Sequence, residues 1–286
     1  MEPTRVRRTE SHFEAAGNRV LFRRAWLSDR TERVLLVAHG LGEHSGRYDN
    51  FGAWMAERGS SVHAFDHQGH GRSSGKRCHI RRFRHLLDDL EVVLSSVQQD
   101  HPGIPIFLVG HSMGSLIVVD FLRDRQPSIS GAVLSGAPLA LPAGLSAARR
   151  VVAGLLRHLA PGISVETGID PEALCTDSSV VKAYTDDPLV VRRMTLALRG
   201  ELFGAIKRAS SGAPEIRVPT LLLHGEDDRV CAPDASTRFR QRMTVDGAVK
   251  LYSGMRHEIF NEPHQHTVFE DVLAWVTHRA NLDAVA

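Results

Sequence analysis

The stretch Gly110-His111-Ser112-Met113-Gly114 decides the fold of this 286-residue chain. It follows the apolar run 104–109 and precedes residues 115–122, whose composition is typical of a helix. A G-x-S-x-G pattern between a strand and a helix places its serine at the tip of a sharp elbow. The two glycines remove Cβ atoms where strand and helix crowd each other, which leaves the hydroxyl exposed. The pattern predicts Ser112 as a nucleophile. The alternative is a tight turn with an ordinary exposed serine.

Short apolar runs on either side of this elbow predict a parallel sheet. They lack polar alternation, as expected for strands buried on both faces. The runs cover residues 34–38, 61–65, 106–109, 132–134, 220–223 and 249–252. Helical patterns fill the gaps at 50–57, at 83–97 and after Pro263, and residues 14–27 form a hairpin pattern around Gly17-Asn18. The sequence therefore predicts an α/β fold, with an antiparallel start followed by a mostly parallel, doubly wound sheet.

The alternation of strands and helices breaks between about residues 140 and 212, where no convincing strand pattern occurs. Residues 145–159 carry an apolar stripe with arginines opposite, which fits a cap helix and equally fits an ordinary core helix. An insertion after the carboxyl end of a strand lies over the functional edge of such a sheet. We predict a core of residues 1–139 and 213–286 and a helical cap, or lid, of residues 140–212.

Composition excludes several classes of partner. The formal net charge is +2 and the isoelectric point is about 8.6, too mild a basic balance to predict nucleic-acid binding. No apolar run approaches the roughly 18 residues of a spanning helix, and the polar N-terminus lacks a secretory pattern. Three cysteines without a C-x-x-C pattern fit a reducing compartment. We expect a cytoplasmic protein with at most peripheral membrane contact through the cap, and the oligomeric state stays open.

No cofactor or metal is predicted. His63, His67 and His70 lie close together in sequence, but in a glycine-rich loop rather than on a helix with the H-E-x-x-H spacing of a zinc site.

A serine hydroxyl needs a neighbouring base, and that base needs an orienting carboxylate. In this fold class the chain order is serine, acid, histidine. The strand at 220–223 runs into three carboxylates, those of Glu226, Asp227 and Asp228. The strand at 249–252 is followed by His257, which is favoured as the base because the later histidines, His264, His266 and His278, fall in the final helix.

Attack on an acyl carbon creates an oxyanion, which two backbone N–H groups normally bind. One comes from the residue after the nucleophile, here Met113, and the other from the loop after an earlier strand. The loop at 39–42 places Leu41 between two glycines, so that its amide can approach a substrate closely. A plain glycine turn is the alternative for this loop.

Five sequence blocks resemble the signature of the monoacylglycerol lipase family of α/β-hydrolases. They are H-G-L-G-E-H-S-G-R-Y at 39–48, D-H-Q-G-H-G-R-S at 66–73, G-H-S-M-G at 110–114, D-P-L-V at 187–190 and H-E-I-F-N-E at 257–262. The resemblance runs from about residue 12 to residue 278. It implies an α/β-hydrolase fold with a helical cap, and a serine esterase that cleaves monoacylglycerols to glycerol and fatty acid.

The resemblance also implies site residues. Ser112 matches the nucleophile, His257 the base and Asp228 the acid, while Leu41 and Met113 match the oxyanion donors. Asp228 is preferred to Asp227 because the family's acid precedes a basic or small residue and an aliphatic one, here Arg229-Val230. Glu43, His44, Arg47 and Tyr48 are expected to hold the oxyanion loop rather than perform chemistry.

Two alternatives share this machinery: a lysophospholipase and a broad-specificity carboxylesterase. A catalytically silent scaffold would have lost a member of the triad, and none is lost. The chain departs from the family at Ser115, where glycine is common, and its cap is the least similar part. Preference for acyl-chain length therefore cannot be carried over.

Overall fold

A single eight-stranded sheet organises the protein in the computed structural model, which describes residues 5–15, 17–141 and 159–283. Its strands are β1 (Val6–Ala15), β2 (Arg19–Ser28), β3 (Arg33–Ala38), β4 (Ser60–Phe65), β5 (Ile106–His111), β6 (Gly131–Ser135), β9 (Thr220–Gly225) and β10 (Gly247–Tyr252). They follow the order β1-β2-β4-β3-β5-β6-β9-β10. The six strands from β4 to β10 are parallel and the first two are antiparallel, which confirms the predicted mostly parallel sheet.

The described helices cover both faces of this sheet. They are α1 (Asp49–Ala56), α2 (Arg84–Asp100), α3 (Met113–Arg125), α4 (Ser178–Asp186), α5 (Leu196–Ser211), α6 (Pro233–Arg242) and α7 (Gln265–Asp283). Strand β3 shows why the apolar runs lack alternation, because its residues point into two separate core layers. Val34 and Leu36 pack in the layer that contains α2 and α3, while Leu35 and Val37 pack in the layer that contains α1 and α7.

The predicted hairpin forms between β1 and β2. Gly17 and Asn18 both have left-handed φ values, 74° and 57°, which suit a tight turn between twisted strands. The hairpin joins the parallel part of the sheet through antiparallel pairing of β2 with β4.

The segment between β6 and β9 stands apart from the main sheet. It contains α4, α5 and a small antiparallel pair, β7 (Ser164–Glu166) with β8 (Arg193–Thr195). These strands were not predicted, because three residues are too few to show a periodic pattern. Helix α5 buries Leu198 and Ala205 in the same core layer as α3. The helix predicted at 145–159 lies outside the described residues except for Leu159, and the cap boundaries stay a prediction.

The topology directs the loops after β3, β5, β6, β9 and β10 to one edge of the sheet. The chain leaves β3 towards β4 on one side, and β5 lies on the other side of β3. This reversal is the switch point at which open α/β sheets place their functional sites. Within the described residues, no helix has the length and apolarity to cross a bilayer.

Candidate active site

Ser112 occupies the turn between β5 and α3 in a strained backbone conformation, with φ of 50° and ψ of −118°. The flanking glycines leave no room for a side chain. A Cβ at Gly110 would lie 2.7 Å from the Ser115 Cα, and one at Gly114 would lie 1.9 Å from the Ala38 carbonyl oxygen. The stretch that decides the fold therefore forms the sharp elbow that its sequence predicts.

Ser115, the residue that departs from the family, is fully buried under this elbow. Its hydroxyl donates to the Gly110 carbonyl at 2.8 Å and lies 3.2 Å from the Ser135 carbonyl. Because its polar group has partners, the serine fits here without the cost of an unsatisfied buried hydroxyl.

Asp228 is the carboxylate that contacts His257. The His257 Nδ1 lies 2.7 Å from Asp228 Oδ2, whereas Glu226 and Asp227 are exposed. The backbone N–H groups of Val230 and Cys231 donate to the other oxygen, Oδ1, at 2.7 and 2.9 Å. Of the three carboxylates that spacing alone left open, Asp228 is thus the one paired with the histidine.

Electrostatics favour an ionised carboxylate and a basic imidazole in this pair. Burial opposes the charge on Asp228, but hydrogen bonds from His224 and His257 hold its pKa well below the usual range. Burial likewise disfavours the imidazolium form of His257, and the hydrogen bond to Asp228 together with its charge outweighs this and raises the His257 pKa. The pair has the character expected of a base and its orienting acid.

Ser112 and His257 line the same small cavity, of about 20 Å³. No hydrogen bond joins them in the described part of the chain, and catalytic hydrogen bonds often tighten only when substrate binds. Ile169, Leu174 and Tyr184, from the segment between β6 and β9, line the same space. Among the described residues, this space has room for about one water molecule.

The two predicted oxyanion donors belong to different elements, and Leu41, in the loop after β3, lines this cavity. Met113 begins α3, and the first amides of a helix have no acceptor within the helix. In the loop after β3, the Gly40 amide donates to Glu43 Oε1 at 2.5 Å, and the Gly42 carbonyl accepts from the Val191 amide at 2.8 Å. Among the described residues, the Leu41 and Met113 amides donate to no protein acceptor, which leaves both available.

A buried ion network holds the loop after β3. The Arg47 Nε lies 3.2 Å from Glu43 Oε2, and its Nη2 is paired with Glu258, the neighbour of His257. The Arg47 guanidinium also lies 4.8 Å from the centre of the Tyr184 ring, and the Tyr48 hydroxyl donates to Glu43 at 2.9 Å. Burial and the nearby Glu258 raise the Glu43 pKa. The contacts fit the expected supporting role of these residues.

The glycine-rich loop after β4 is likewise a supporting element. His67 Nε2 donates to the His39 carbonyl at 3.0 Å, and His70 Nδ1 donates to the Gln68 carbonyl at 3.1 Å. His63 was expected in this loop but lies in β4, where its ring pairs with His101. In the part of the chain that the structure describes, His63, His67 and His70 bring no metal-ligand set together. Burial lowers the pKa of His67 to about 3 and of His70 to about 4, which keeps both neutral.

Three neighbours of His257 were not recognised from the sequence. His224 contacts Asp228, and the His111 ring centre lies 4.9 Å from that of His257. Gly136 has φ of 55°, and a Cβ there would lie 3.0 Å from His257 Cε1. His111 lies within the predicted serine motif and His224 directly precedes the acid loop, so the sequence pointed to both positions, whereas only the fold reveals the role of Gly136.

The fold, the serine elbow and the buried aspartate–histidine pair define the class of this protein: a serine hydrolase with the α/β-hydrolase fold. A family model described as "Serine aminopeptidase, S33" matches residues 29–264, and the chain belongs to this family.

Similar proteins share nearly the whole chain. It is 35% identical to the monoacylglycerol lipase of Mycolicibacterium smegmatis, over 94% of this chain and 97% of that protein. It is 34% identical to the human monoglyceride lipase, over 94% of this chain and 90% of that protein. The crystal structure of the Paleococcus ferrophilus monoacylglycerol lipase matches with a TM-score of 0.79 and 30% identity, over 96% of this chain and 99% of that one. These likenesses confirm the family predicted from the sequence blocks.

Proposed function

We propose that this protein hydrolyses monoacylglycerols to glycerol and a free fatty acid through an acyl-enzyme. The observation that carries the ester chemistry is the Asp228–His257 pair, at 2.7 Å, beside the strained elbow of Ser112. The substrate class rests on the similarity to monoacylglycerol lipases over almost the full chain. A single-chain lipid also suits the apolar Ile169 and Leu174 in the lining.

In the proposed mechanism, the Ser112 hydroxyl attacks the ester carbon while His257 accepts its proton. The Leu41 and Met113 amides bind the developing oxyanion, and each donor of this kind is worth about 3 kcal/mol of barrier. The intermediate then expels the glycerol oxygen, which takes the proton from His257. Water attacks the acyl-enzyme, gives its proton to His257 and releases the fatty acid, and the proton returns to Ser112.

The segment 140–212 is proposed to cap this site. Three contacts with the core support the assignment. His44 Nε2 lies 2.9 Å from Asp187 Oδ2, the Val191 amide donates to Gly42, and the Glu258 amide donates to the Leu174 carbonyl at 2.8 Å.

Three other activities are compared with this proposal. A lysophospholipase or broad carboxylesterase would use the same triad with a different alcohol group, and the lipase relatives make it the less favoured candidate. An aminopeptidase needs a free carboxylate for the substrate amine. The carboxylates among the described lining residues, Glu43 and Glu258, are both already paired with Arg47.

The test is a substrate panel with matched variants. Monoacylglycerols of several chain lengths are compared with diacylglycerols, lysophosphatidylcholine and aminoacyl p-nitroanilides. Ser112→Ala should abolish monoacylglycerol hydrolysis without lowering the melting temperature. Asp228→Asn should remove most of the activity and Asp227→Asn, at an exposed site, almost none. A wild type that prefers lysophosphatidylcholine or the anilides would refute the substrate assignment, and an active Ser112→Ala would refute the mechanism.

Peripheral contact with an anionic membrane by an otherwise cytoplasmic protein is a further part of the proposal. The three free cysteines, Cys78, Cys175 and Cys231, support the reducing compartment. Leu159 and Ile163 are 72% and 55% exposed. The neighbouring stretch 76–84 contains no acidic residue and exposes five cations, Lys76, Arg77, Arg81, Arg82 and Arg84. The Lys76 ammonium donates to the Gly162 carbonyl at 2.8 Å, which brings the charges beside the apolar residues. Exposed apolar groups flanked by cations favour a negatively charged lipid surface.

Vesicle co-sedimentation tests the contact. Ile163→Glu should lose binding to vesicles that contain phosphatidylserine and keep its rate on soluble p-nitrophenyl acetate. Leu282→Glu, at a similarly exposed leucine of the last helix, is the matched control. Equal binding of the two variants would refute this surface as the contact.

A further inference from the structure

A second histidine, His224, binds the same carboxylate oxygen as His257. His224 lies near the end of β9, and its side chain is completely buried. Its Nε2 is 2.9 Å from Asp228 Oδ2 and 3.2 Å from the Cys231 carbonyl oxygen. Its Nδ1 is 2.9 Å from the Ser236 hydroxyl in α6. The hydrogen-bonded series of the triad therefore extends beyond Asp228 to two further buried side chains, those of His224 and Ser236.

The partners of His224 determine which of its ring nitrogens donates to Asp228. Both neighbours of Nε2 are acceptors once Asp228 is ionised, so Nε2 must carry a hydrogen. The Ser236 hydroxyl can donate, and a neutral imidazole leaves Nδ1 to accept from it. His224 thus directs its Nε2–H at Asp228, while its Nδ1 is held by the Ser236 hydroxyl.

With His224, the Asp228 carboxylate has four donors. Two backbone amides bind Oδ1, and two imidazole N–H groups bind Oδ2. A carboxylate offers about four acceptor positions, so its hydrogen-bonding capacity is used in full. The amides already fix the plane of the carboxylate. The particular effect of His224 is to take part of the negative charge of the oxygen that faces His257.

We propose that His224 is a positioning residue that holds Asp228 Oδ2 and shares its charge, so that His257 can release as well as accept the catalytic proton. This inference rests on the proposed function of the triad. General acid–base catalysis is most efficient when the group gains and loses its proton near the working pH. A buried carboxylate with fewer donors would hold the imidazolium proton more tightly.

His257 has further charged and titratable neighbours that also set its proton affinity. On the β9 side of His257 lie Asp228, His224 and Cys231, and at the end of β5 lies His111. Glu258 lies in the same loop as His257, and Glu43 and Arg47 lie in the loop after β3. Replacement of His224 removes one donor from Asp228 and leaves the side chains of the other neighbours in place. A shift in the proton affinity of His257 is therefore specific for the proposed role.

The experiment follows the pH dependence of phosphonylation by a fluorophosphonate probe, which needs the serine and its base but no particular ester. In His224→Leu, the midpoint of the acidic limb should rise by about 0.5 to 1 pH unit, because Asp228 loses one of its four donors. His224→Gln can still direct an amide N–H at Asp228, and its midpoint should stay within about 0.3 unit of the wild type. His63→Leu, at another buried histidine far along the sheet, controls for loss of an imidazole.

An unchanged or lowered midpoint in His224→Leu would overturn the inference, whatever happens to its melting temperature. If that variant does not fold, His224→Asn provides the same test, because its shorter amide reaches towards Ser236 but not Asp228. The outcomes separate the two proposals. A wild type that reacts with the probe but leaves monoacylglycerols intact refutes the proposed substrate and leaves this measurement valid.

Discussion

Glu43 is the acceptor on which the loop after β3 depends, and Glu43→Gln removes its charge without changing its size. Its Oε1 accepts from the Gly40 amide and the Tyr48 hydroxyl, and its Oε2 forms an ion pair with the Arg47 guanidinium, 3.2 Å from Nε. A glutamine offers one oxygen and one NH₂ group in place of two oxygens. Either orientation therefore turns a donor towards a donor, at Gly40 or at Arg47.

The magnitude follows from these two orientations. A buried amide such as that of Gly40 costs about 1–3 kcal/mol when it loses its acceptor. A buried Arg47 that loses one of its two carboxylate partners costs a similar amount or more. A loss of about 2 kcal/mol corresponds to about 4–8 °C in melting temperature for a chain of this size. If Gly40 is the group that loses its acceptor, Leu41 is no longer held in the oxyanion loop. The upper limit is then the loss of one oxyanion donor, about 10²–10³ in kcat.

We therefore expect Glu43→Gln to lower kcat about 10- to 100-fold with little change in KM, and to lower the melting temperature by several degrees. Short p-nitrophenyl esters give the rates, and thermal unfolding gives the stability. Glu10→Gln is the control, since Glu10 is an exposed carboxylate that also binds two arginines, Arg24 and Arg72. Exposed pairs contribute at most about 1 kcal/mol. If Glu43→Gln behaved like Glu10→Gln, the loop would not depend on this network.

The rate on a soluble ester should fall as the pH drops through the His257 pKa, which Asp228 raises above 6.5 against the effect of burial, because only the neutral imidazole acts as a base. Gly136→Ala should lower kcat at least about tenfold, because its Cβ would displace His257 at a φ of 55°. Gly103→Ala, at a φ of 76° with open space around it, separates backbone strain from this contact. Ser115→Ala should cost about 1 kcal/mol of stability and little activity, because it loses the hydrogen bond to Gly110.

Each of these outcomes has a clear contrary result. An acidic limb centred below pH 6.5 would contradict the assigned environment of His257. Equal losses of activity in Gly136→Ala and Gly103→Ala would mean that the Gly136 contact has no catalytic consequence. A Ser115→Ala variant with wild-type stability would show that its buried hydroxyl contributes nothing to the elbow.

The parts of the molecule that could be predicted are those in which a short stretch of sequence determines its own geometry. The run before Ser112 is apolar because both faces of β5 are buried, and Gly110 is required by the turn itself, where a Cβ would meet Ser115. The hairpin at Gly17-Asn18 is local in the same sense. Even so, spacing after β9 left three carboxylates equivalent, and only the resemblance to the family favoured Asp228.

The parts that could not be predicted depend on groups far apart in the chain. Arg47 and Glu258 are ion-paired although 211 positions separate them in the sequence, and no local sequence pattern predicts such a pair. The strands β7 and β8 are too short to carry periodicity. His224 directly precedes the acid loop in the sequence. Its partner Ser236 belongs to the next helix, so only the folded structure shows the contact between them.

The close approach of Gly114 to β3 has a consequence for the order of folding. A Cβ there would meet the Ala38 and His39 carbonyl oxygens at 1.9 and 2.8 Å, so α3 rests directly on a strand some 75 positions earlier in the chain. Contacts of such long range carry a loop-closure cost and form late rather than early. The strained conformation of Ser112 is therefore maintained by the assembled sheet and not by its own turn. Recovery of probe labelling during refolding should report the docking of β3 against β5, a step that helix content alone would not reveal.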